Sequence, residues 1–161
     1  MPKHYVYRLD HDTGFAPNIE YRICTLSGCK KTTIERWAER GSWVIGIGGN
    51  NTGKPDKLIY AMEVEDKLPY RQFKKRYPCK SRYLQKEKAG HYVLISKKFY
   101  YFGDNAVDLP EKFIIDRQGC RCVSENDVTE FKKHIETKGY RKYGIYGEPN
   151  NSESSNSGEK C

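Results

Sequence analysis

The most apolar run in the chain is Trp43–Gly48, and two of its six residues are glycines. Glycine within a strand typically marks curvature or the close approach of another segment. A turn-rich stretch at residues 50–57 separates this run from a second apolar run at residues 58–64, which contains Ile, Tyr and Val. Two such runs joined by a turn predict an antiparallel hairpin, which we expect at the centre of a curved sheet.

The other predicted elements lack the regular alternation of strand and helix that a parallel α/β fold shows. The predicted strands are 4–9, 21–25, 92–96 and 99–102, and the predicted helices are 31–40, 69–77 and 125–137. Ser124 precedes the last helix and can cap its amino end. The pattern predicts an α+β fold, in which a small curved mixed β-sheet or open barrel carries two or three flanking helices.

The length of 161 residues suits a single domain, which we place at residues 1–149. Residues 150–161 consist mainly of Ser, Asn, Gly and Glu, and we expect them to form a disordered tail. No apolar run approaches the roughly 20 residues that a membrane span needs, and the first residues do not resemble a signal peptide. We therefore expect a cytoplasmic protein without a membrane partner.

The six cysteines are expected to be reduced thiols in that compartment. Two close pairs, Cys24 with Cys29 and Cys120 with Cys122, could in principle converge on one zinc ion. Neither spacing is that of a zinc knuckle, so we predict no metal site. The sequence identifies no cofactor.

Positive charge is concentrated in one part of the chain. The formal net charge is +8, and residues 71–98 contain ten Lys or Arg and a single acidic residue, Glu87. Aromatic residues are interleaved with these cations, a combination that favours a nucleotide or nucleic acid, because cations bind phosphates while rings stack on bases. The residues predicted to bind phosphate are Lys74, Lys75, Arg76, Lys80 and Arg82. An acidic protein or a membrane surface would use the same cations.

Three segments combine side chains suited to a binding pocket. Residues 11–18 place an imidazole, a carboxylate, a hydroxyl and an amide in one glycine-containing loop; residues 24–30 contain two cysteines and a lysine; residues 100–105 lead from aromatic rings into a polar turn. The alternatives are a self-capping loop, buried structural thiols, and core rings followed by an ordinary turn. The candidate catalytic residues are His11, Asp12, Cys24 and Cys29. The candidate ligand-binding residues are Thr13, Phe15, Asn18, Trp43, Tyr101, Asp104 and Asn105.

These motifs together resemble a known family. They are Tyr5-Val6-Tyr7, residues 11–18, Cys24-Thr25-Leu26 with Cys29-Lys30, Trp43–Gly48, residues 57–62 and residues 102–106. The resemblance is to the second of the nucleotide-modification-associated domain families, whose members are linked to DNA base hypermodification. More distantly, a helix followed by a Gly-x-Trp-Val strand and a hairpin partner resembles the PUA-like and EVE-like domains, some of which enclose a modified base in an aromatic cage. The resemblance implies that the Tyr-rich sites face a nucleobase.

Three hypotheses follow for the function. The first is a module that recognises or processes a nucleotide or modified base, in which Trp43, Phe15 and Tyr101 stack on the base. The second is an enzyme that uses His11 as acid or base, Asp12 to orient it, and Cys24 or Cys29 as nucleophile. The third is a phage or defence-associated module that contacts another protein.

Overall fold

A computed structural model describes residues 2–14, 16–27, 34–80, 92–115 and 119–151. The strands are β1 His4–Leu9, β2 Cys24–Leu26, β3 Trp43–Gly48, β4 Leu58–Glu63, β5 Asp66–Pro69, β6 Tyr92–Ser96, β7 Phe99–Tyr101, β8 Cys120–Val123 and β9 Gly144–Ile145. The helices are α1 Ile34–Trp37, α2 Tyr70–Arg76 and α3 Glu125–Thr137. Within the described parts of the chain, no helix is long and apolar enough to cross a membrane.

The strands form two sheets. The larger, mixed sheet has the order β8-β1-β3-β4-β7-β9, in which β1 pairs with β3 in parallel and β3 with β4 antiparallel. The smaller sheet has the order β2-β6-β5 and is antiparallel. Among the strands of the described residues, neither sheet closes into a barrel. The predicted α+β class, with a mixed sheet and flanking helices, is confirmed.

The predicted central hairpin is confirmed as β3 and β4, and a glycine determines how its neighbours pack. Gly46 pairs with Tyr7 of β1 on one side and Tyr60 of β4 on the other. A β-carbon at Gly46 would lie 2.5 Å from the Tyr60 ring, so the absence of a side chain makes room for that ring. The rings of Tyr7 and Tyr60 meet edge to face with centroids 6.2 Å apart, and their hydroxyl oxygens lie 2.6 Å apart.

Three layers of buried side chains hold the elements together. Helix α3 packs on one face of the large sheet, where Phe131 contacts Trp43. The opposite face of the large sheet packs against the small sheet in a cluster that includes Tyr60 and Cys24. On its outer face, the small sheet is covered by α2 through Phe73. Strand alternation therefore sends successive residues of β3 into different layers.

The helix predictions are largely confirmed. Helix α3 spans the predicted residues, and the Ser124 hydroxyl accepts a hydrogen bond from the Asp127 backbone N–H, as a capping residue does. Helix α2 begins after Pro69 as predicted. The helix predicted at 31–40 is shorter, because α1 ends at Trp37, and residues 31–33 lie outside the described residues.

The sequence pattern missed three strands, β5, β8 and β9. They have four, four and two residues and carry polar side chains such as Asp66, Lys67 and Arg121. These strands are defined by backbone hydrogen bonds to a neighbouring strand and not by the burial of one apolar face. Their sequences therefore show no alternation of apolar and polar residues. The predicted strand at 21–25 is also shifted, because Glu20–Arg22 form a 3-10 turn and the strand runs over Cys24–Leu26.

Candidate functional site

The loop after β1 is anchored by a buried carboxylate. Asp12 is fully buried, and its Oδ1 accepts a hydrogen bond of 2.7 Å from the Tyr101 hydroxyl at the end of β7. Its Oδ2 accepts hydrogen bonds from the Asn150 backbone N–H (3.0 Å) and side-chain amide (2.9 Å). Burial raises the pKa of Asp12, and the hydrogen bonds from Tyr101 and Asn150 oppose that rise. Two predicted site residues are thus in direct contact.

The main chain reinforces this contact. The Asp12 N–H donates to Asn151 Oδ1, and the Asn151 N–H donates to the Asp12 carbonyl oxygen, both at 2.9 Å. We call Asp12, Tyr101, Asn150 and Asn151 the C-terminal clasp. Both asparagines lie in the segment that the sequence interpretation assigned to the tail, whose residues 152–161 lie outside the described residues. In the clasp, the protein's own chain fills the hydrogen-bonding positions of Asp12.

The predicted polar turn also holds the C-terminal segment. Exposed Asp104 accepts a hydrogen bond of 2.9 Å from the Glu148 N–H through Oδ1. The Asn105 side-chain amide donates to the Tyr146 carbonyl oxygen at 2.6 Å. Both side chains therefore bind backbone of residues 146–148 in this structure.

Other residues of the loop bind their own backbone. The Asn18 amide donates to the Gly14 carbonyl oxygen at 2.9 Å, and its Oδ1 accepts from the Glu20 N–H at 3.2 Å. His11 is half-buried, with its Nδ1 3.3 Å from the Asp10 carboxylate. Thr13 is half-buried, and Phe15 lies outside the described residues.

Lys80 lies inside the molecule, although the sequence placed it among the phosphate ligands. It is 1% exposed, and its Nζ donates to the backbone carbonyl oxygens of Asn18 (3.3 Å), Glu20 (2.9 Å) and Ile23 (2.6 Å). Burial lowers its pKa to about 8. The ammonium thus fixes the segment before β2 from the interior.

Cys24 is also buried, and the positive charge of Lys80 acts on its thiol. Its thiol donates to the Met62 sulfur at 3.7 Å, and burial raises its pKa to about 12 despite the opposing charge of Lys80. A nucleophilic cysteine needs a lowered pKa and access to solvent. Cys24 has neither in this conformation, and Cys29 lies outside the described residues.

This environment predicts that Cys24 resists alkylation in the folded protein. The thiolate is the reactive form, and a buried thiol with a pKa of about 12 supplies little of it at neutral pH. We expect iodoacetamide to label exposed Cys79 in native buffer and to label Cys24 after unfolding in urea, as read by peptide mass spectrometry. Equal labelling rates of Cys24 and Cys79 in native buffer would contradict this environment.

Trp43 lies apart from these residues. It is 2% exposed, its ring lies 6.0 Å from that of Phe131, and the Lys132 ammonium lies 5.2 Å from its ring centroid. It belongs to the layer under α3, whereas Tyr101 belongs to the layer on the opposite face of the sheet. The structure therefore does not bring Trp43 together with the loop at residues 11–18.

The predicted cationic helix is exposed. Helix α2 carries Arg71, Lys74, Lys75 and Arg76 on its solvent side, which we call the basic face of α2. Arg71, Lys74 and Lys75 make no ion pair with any described residue. Arg76 lies 3.3 Å from Asp66 and covers the Tyr77 ring at 6.0 Å. Arg82 lies outside the described residues.

A groove of about 260 Å³ opens beside the end of α2. It is lined by Ile23, Glu65, Asp66, Tyr77, Ile95 and Lys97. Burial opposes ionisation of Asp66, but hydrogen bonds and the charges of Arg40 and Arg76 outweigh it and lower its pKa. No local sequence pattern reveals this groove, because its walls come from four separate segments.

Among the residues that the structure describes, no three His, Cys, Asp or Glu side chains gather as a metal-binding group.

Similarity to known proteins identifies the family of the chain. Neither the curated proteins nor the solved structures contain a match to the chain. Two overlapping segments, residues 1–87 and 77–156, match a family described as nucleotide modification associated domain 2. Because these segments together span nearly the whole sequence, the chain belongs to the nucleotide modification associated domain 2 family.

Proposed function

We propose that the protein recognises a nucleotide or a modified base within a nucleic acid, and that the basic face of α2 contacts the phosphates. One observation carries the proposal: three cations of α2 lack an ion-pair partner among the described residues, on a helix whose carboxyl end borders a groove at Tyr77. Membership in the family associates the chain with nucleotide modification. An uncompensated cationic face is the typical electrostatic footprint of a phosphate-binding surface.

The groove offers a place for the base. Ligand pockets for larger molecules typically measure about 300–1,000 Å³, so the 260 Å³ groove suits a single planar heterocycle. Ile95 and the Tyr77 ring, which stacks on Phe73 with centroids 5.3 Å apart, line the groove and can contact such a ligand. The carboxylate of Glu65 can accept hydrogen bonds from ring or exocyclic N–H groups. Arg76 lies over Tyr77 and is placed to contact the attached phosphate.

The proposed activity is recognition of the ligand, without a covalent step at Cys24. The thiol is buried and neutral at physiological pH in this conformation. The imidazole of His11 is half-buried at the surface of its loop, and the Asp12 carboxylate is bound to Tyr101 and Asn150. A nucleophile–base pair within hydrogen-bonding distance, which covalent catalysis requires, is not formed by these described side chains.

Removal of charge from α2 tests the proposal. In the triple variant Arg71→Gln, Lys74→Gln, Lys75→Gln, we expect the affinity for a fluorescein-labelled oligonucleotide to fall on the order of 10- to 100-fold at physiological salt. The slope of log K against log salt should shrink by about 2, since each lost phosphate contact on a single strand contributes about 0.7. Fluorescence anisotropy across a salt series measures both quantities.

A matched control is available on the opposite side of the molecule. The variant Lys133→Gln, Lys138→Gln, Arg141→Gln loses the same charge from exposed positions in and after α3. We expect it to retain most of the affinity and the original salt slope. Equal losses in the two triple variants would show a non-specific effect of net charge, and binding that is independent of salt would contradict a phosphate-binding surface.

A further inference from the structure

Two large rings are exposed beside the edge strand of the small sheet. Trp37 at the end of α1 is 61% exposed, and Tyr92 at the start of β6 is 39% exposed. The chain has one other tryptophan, Trp43, which is 2% exposed. Aromatic rings on a protein surface are costly to leave in water and commonly mark a binding surface when they cluster with cations.

Lys67 of β5 lies between Tyr92 and the end of α1. Its Nζ lies 4.8 Å from the centroid of the Tyr92 ring and donates a hydrogen bond of 3.0 Å to the Arg36 carbonyl oxygen, one residue before Trp37. In the antiparallel register, Lys67 faces Leu94, and alternation places Tyr92 on the same face of the sheet as Leu94. We call Trp37, Lys67 and Tyr92 the aromatic edge.

The aromatic edge and the basic face of α2 adjoin the same edge strand, β5, from opposite faces of the small sheet. Tyr92 pairs with Pro69, and α2 begins at the next residue. Further along β5, the carboxylate of Asp66 accepts hydrogen bonds from Arg40, which follows α1, and from Arg76 of α2. The two surfaces therefore lie on either side of one four-residue edge strand and are connected by arginines.

The charge of the combined surface favours a polyanion. Glu35 and Glu39 act on Lys67 electrostatically, and Glu35 is buried. Asp66 is already shared by two arginines. The cations of α2 remain in excess over these acidic groups, so the complementary ligand is negatively charged.

We infer that the aromatic edge stacks on unpaired bases, and that the ligand is therefore a single-stranded nucleic acid. The inference rests on the proposed function, because the basic face of α2 supplies the phosphate contacts. In a duplex the faces of the bases are stacked on one another and are not available to protein rings, whereas a single strand can present them. Stacking is tolerant of sequence, so it adds affinity for any unpaired strand.

The test compares matched single-stranded and duplex oligonucleotides of about 12 nucleotides, a length within the range of known single-strand sites. For the double variant Trp37→Ala, Tyr92→Ala, we expect at least a tenfold loss of affinity for the single strand, with duplex binding unchanged. Trp37→Phe, which keeps an aromatic ring, should restore most of the loss caused by Trp37→Ala. Tyr143→Ala serves as the control, because Tyr143 is 42% exposed and precedes β9 at the far edge of the large sheet.

Intrinsic fluorescence gives a second readout. The single strand should quench the emission of wild-type protein, since a base would cover Trp37, and the Trp37→Phe variant should bind without quenching. Equal affinity for single strand and duplex, with no effect of the double variant, would overturn the inference while leaving the proposed function intact. Absence of binding to either oligonucleotide would overturn both, as would equally tight, competing binding of polyglutamate.

Discussion

Replacement of Asp12 by alanine is expected to lower the free energy of unfolding by about 3–4 kcal/mol. The substitution removes the acceptor of three hydrogen bonds, from the Tyr101 hydroxyl and from two N–H donors of Asn150. The Tyr101 hydroxyl is fully buried and would be left without its acceptor, which is costly in the protein interior. The C-terminal segment would keep only the main-chain part of its attachment to the loop after β1.

Urea unfolding followed by circular dichroism measures this effect, and Asp104→Ala provides the matched control. Asp104 also binds the C-terminal segment, because its Oδ1 accepts a hydrogen bond from the Glu148 N–H, but its side chain is exposed. We expect the control to lose about 1 kcal/mol. A loss below 1 kcal/mol for Asp12→Ala would show that the clasp does not contribute to folding.

Replacement of Gly46 by alanine is expected to destabilise the protein by about 3 kcal/mol, at the upper end of overpacking effects. The new β-carbon would lie 2.5 Å from the Tyr60 ring and 2.6 Å from a Leu9 methyl group. The Tyr60 ring cannot move aside easily, because it is fully buried and its hydroxyl is 2.6 Å from that of Tyr7.

Gly144→Ala is the control for this variant. A β-carbon at Gly144 would lie 3.6 Å from its nearest neighbour, an ordinary van der Waals contact. We expect its unfolding midpoint to change little, whereas Gly46→Ala should also alter the near-ultraviolet circular dichroism of the packed tyrosines. Equal stability of the two variants would contradict the close packing across β3.

The elements predicted correctly are those with strong local patterns. The hairpin of β3 and β4 combines apolar runs with a turn, and α3 combines a capping serine with a repeated apolar face. Both signals come from neighbouring residues in the sequence. The short strand β5 has no such signal, since backbone pairing to β6 defines it.

In the candidate site too, local sequence patterns predict some contacts, and contacts between distant segments are missed. The loop at residues 11–18 and the end of β7 were predicted to act together, and the structure joins them through Asp12 and Tyr101. Asn150 completes that contact, but a polar residue in a polar tail carries no pattern that would reveal it. The burial of Lys80 was equally hidden, because sequence records its charge and not the three carbonyl groups that surround its ammonium.

Photo-crosslinking tests most directly whether nucleic acid binds along the edge strand of the small sheet, across the aromatic edge and the basic face of α2. A single-stranded oligonucleotide containing 4-thiothymidine would be irradiated with the full chain, and the linked peptides identified by mass spectrometry. We predict salt-sensitive cross-links at Trp37, Tyr92 and within residues 70–77. Cross-links confined to α3, or to the C-terminal clasp, would contradict a nucleic-acid surface formed by α2 and the aromatic edge.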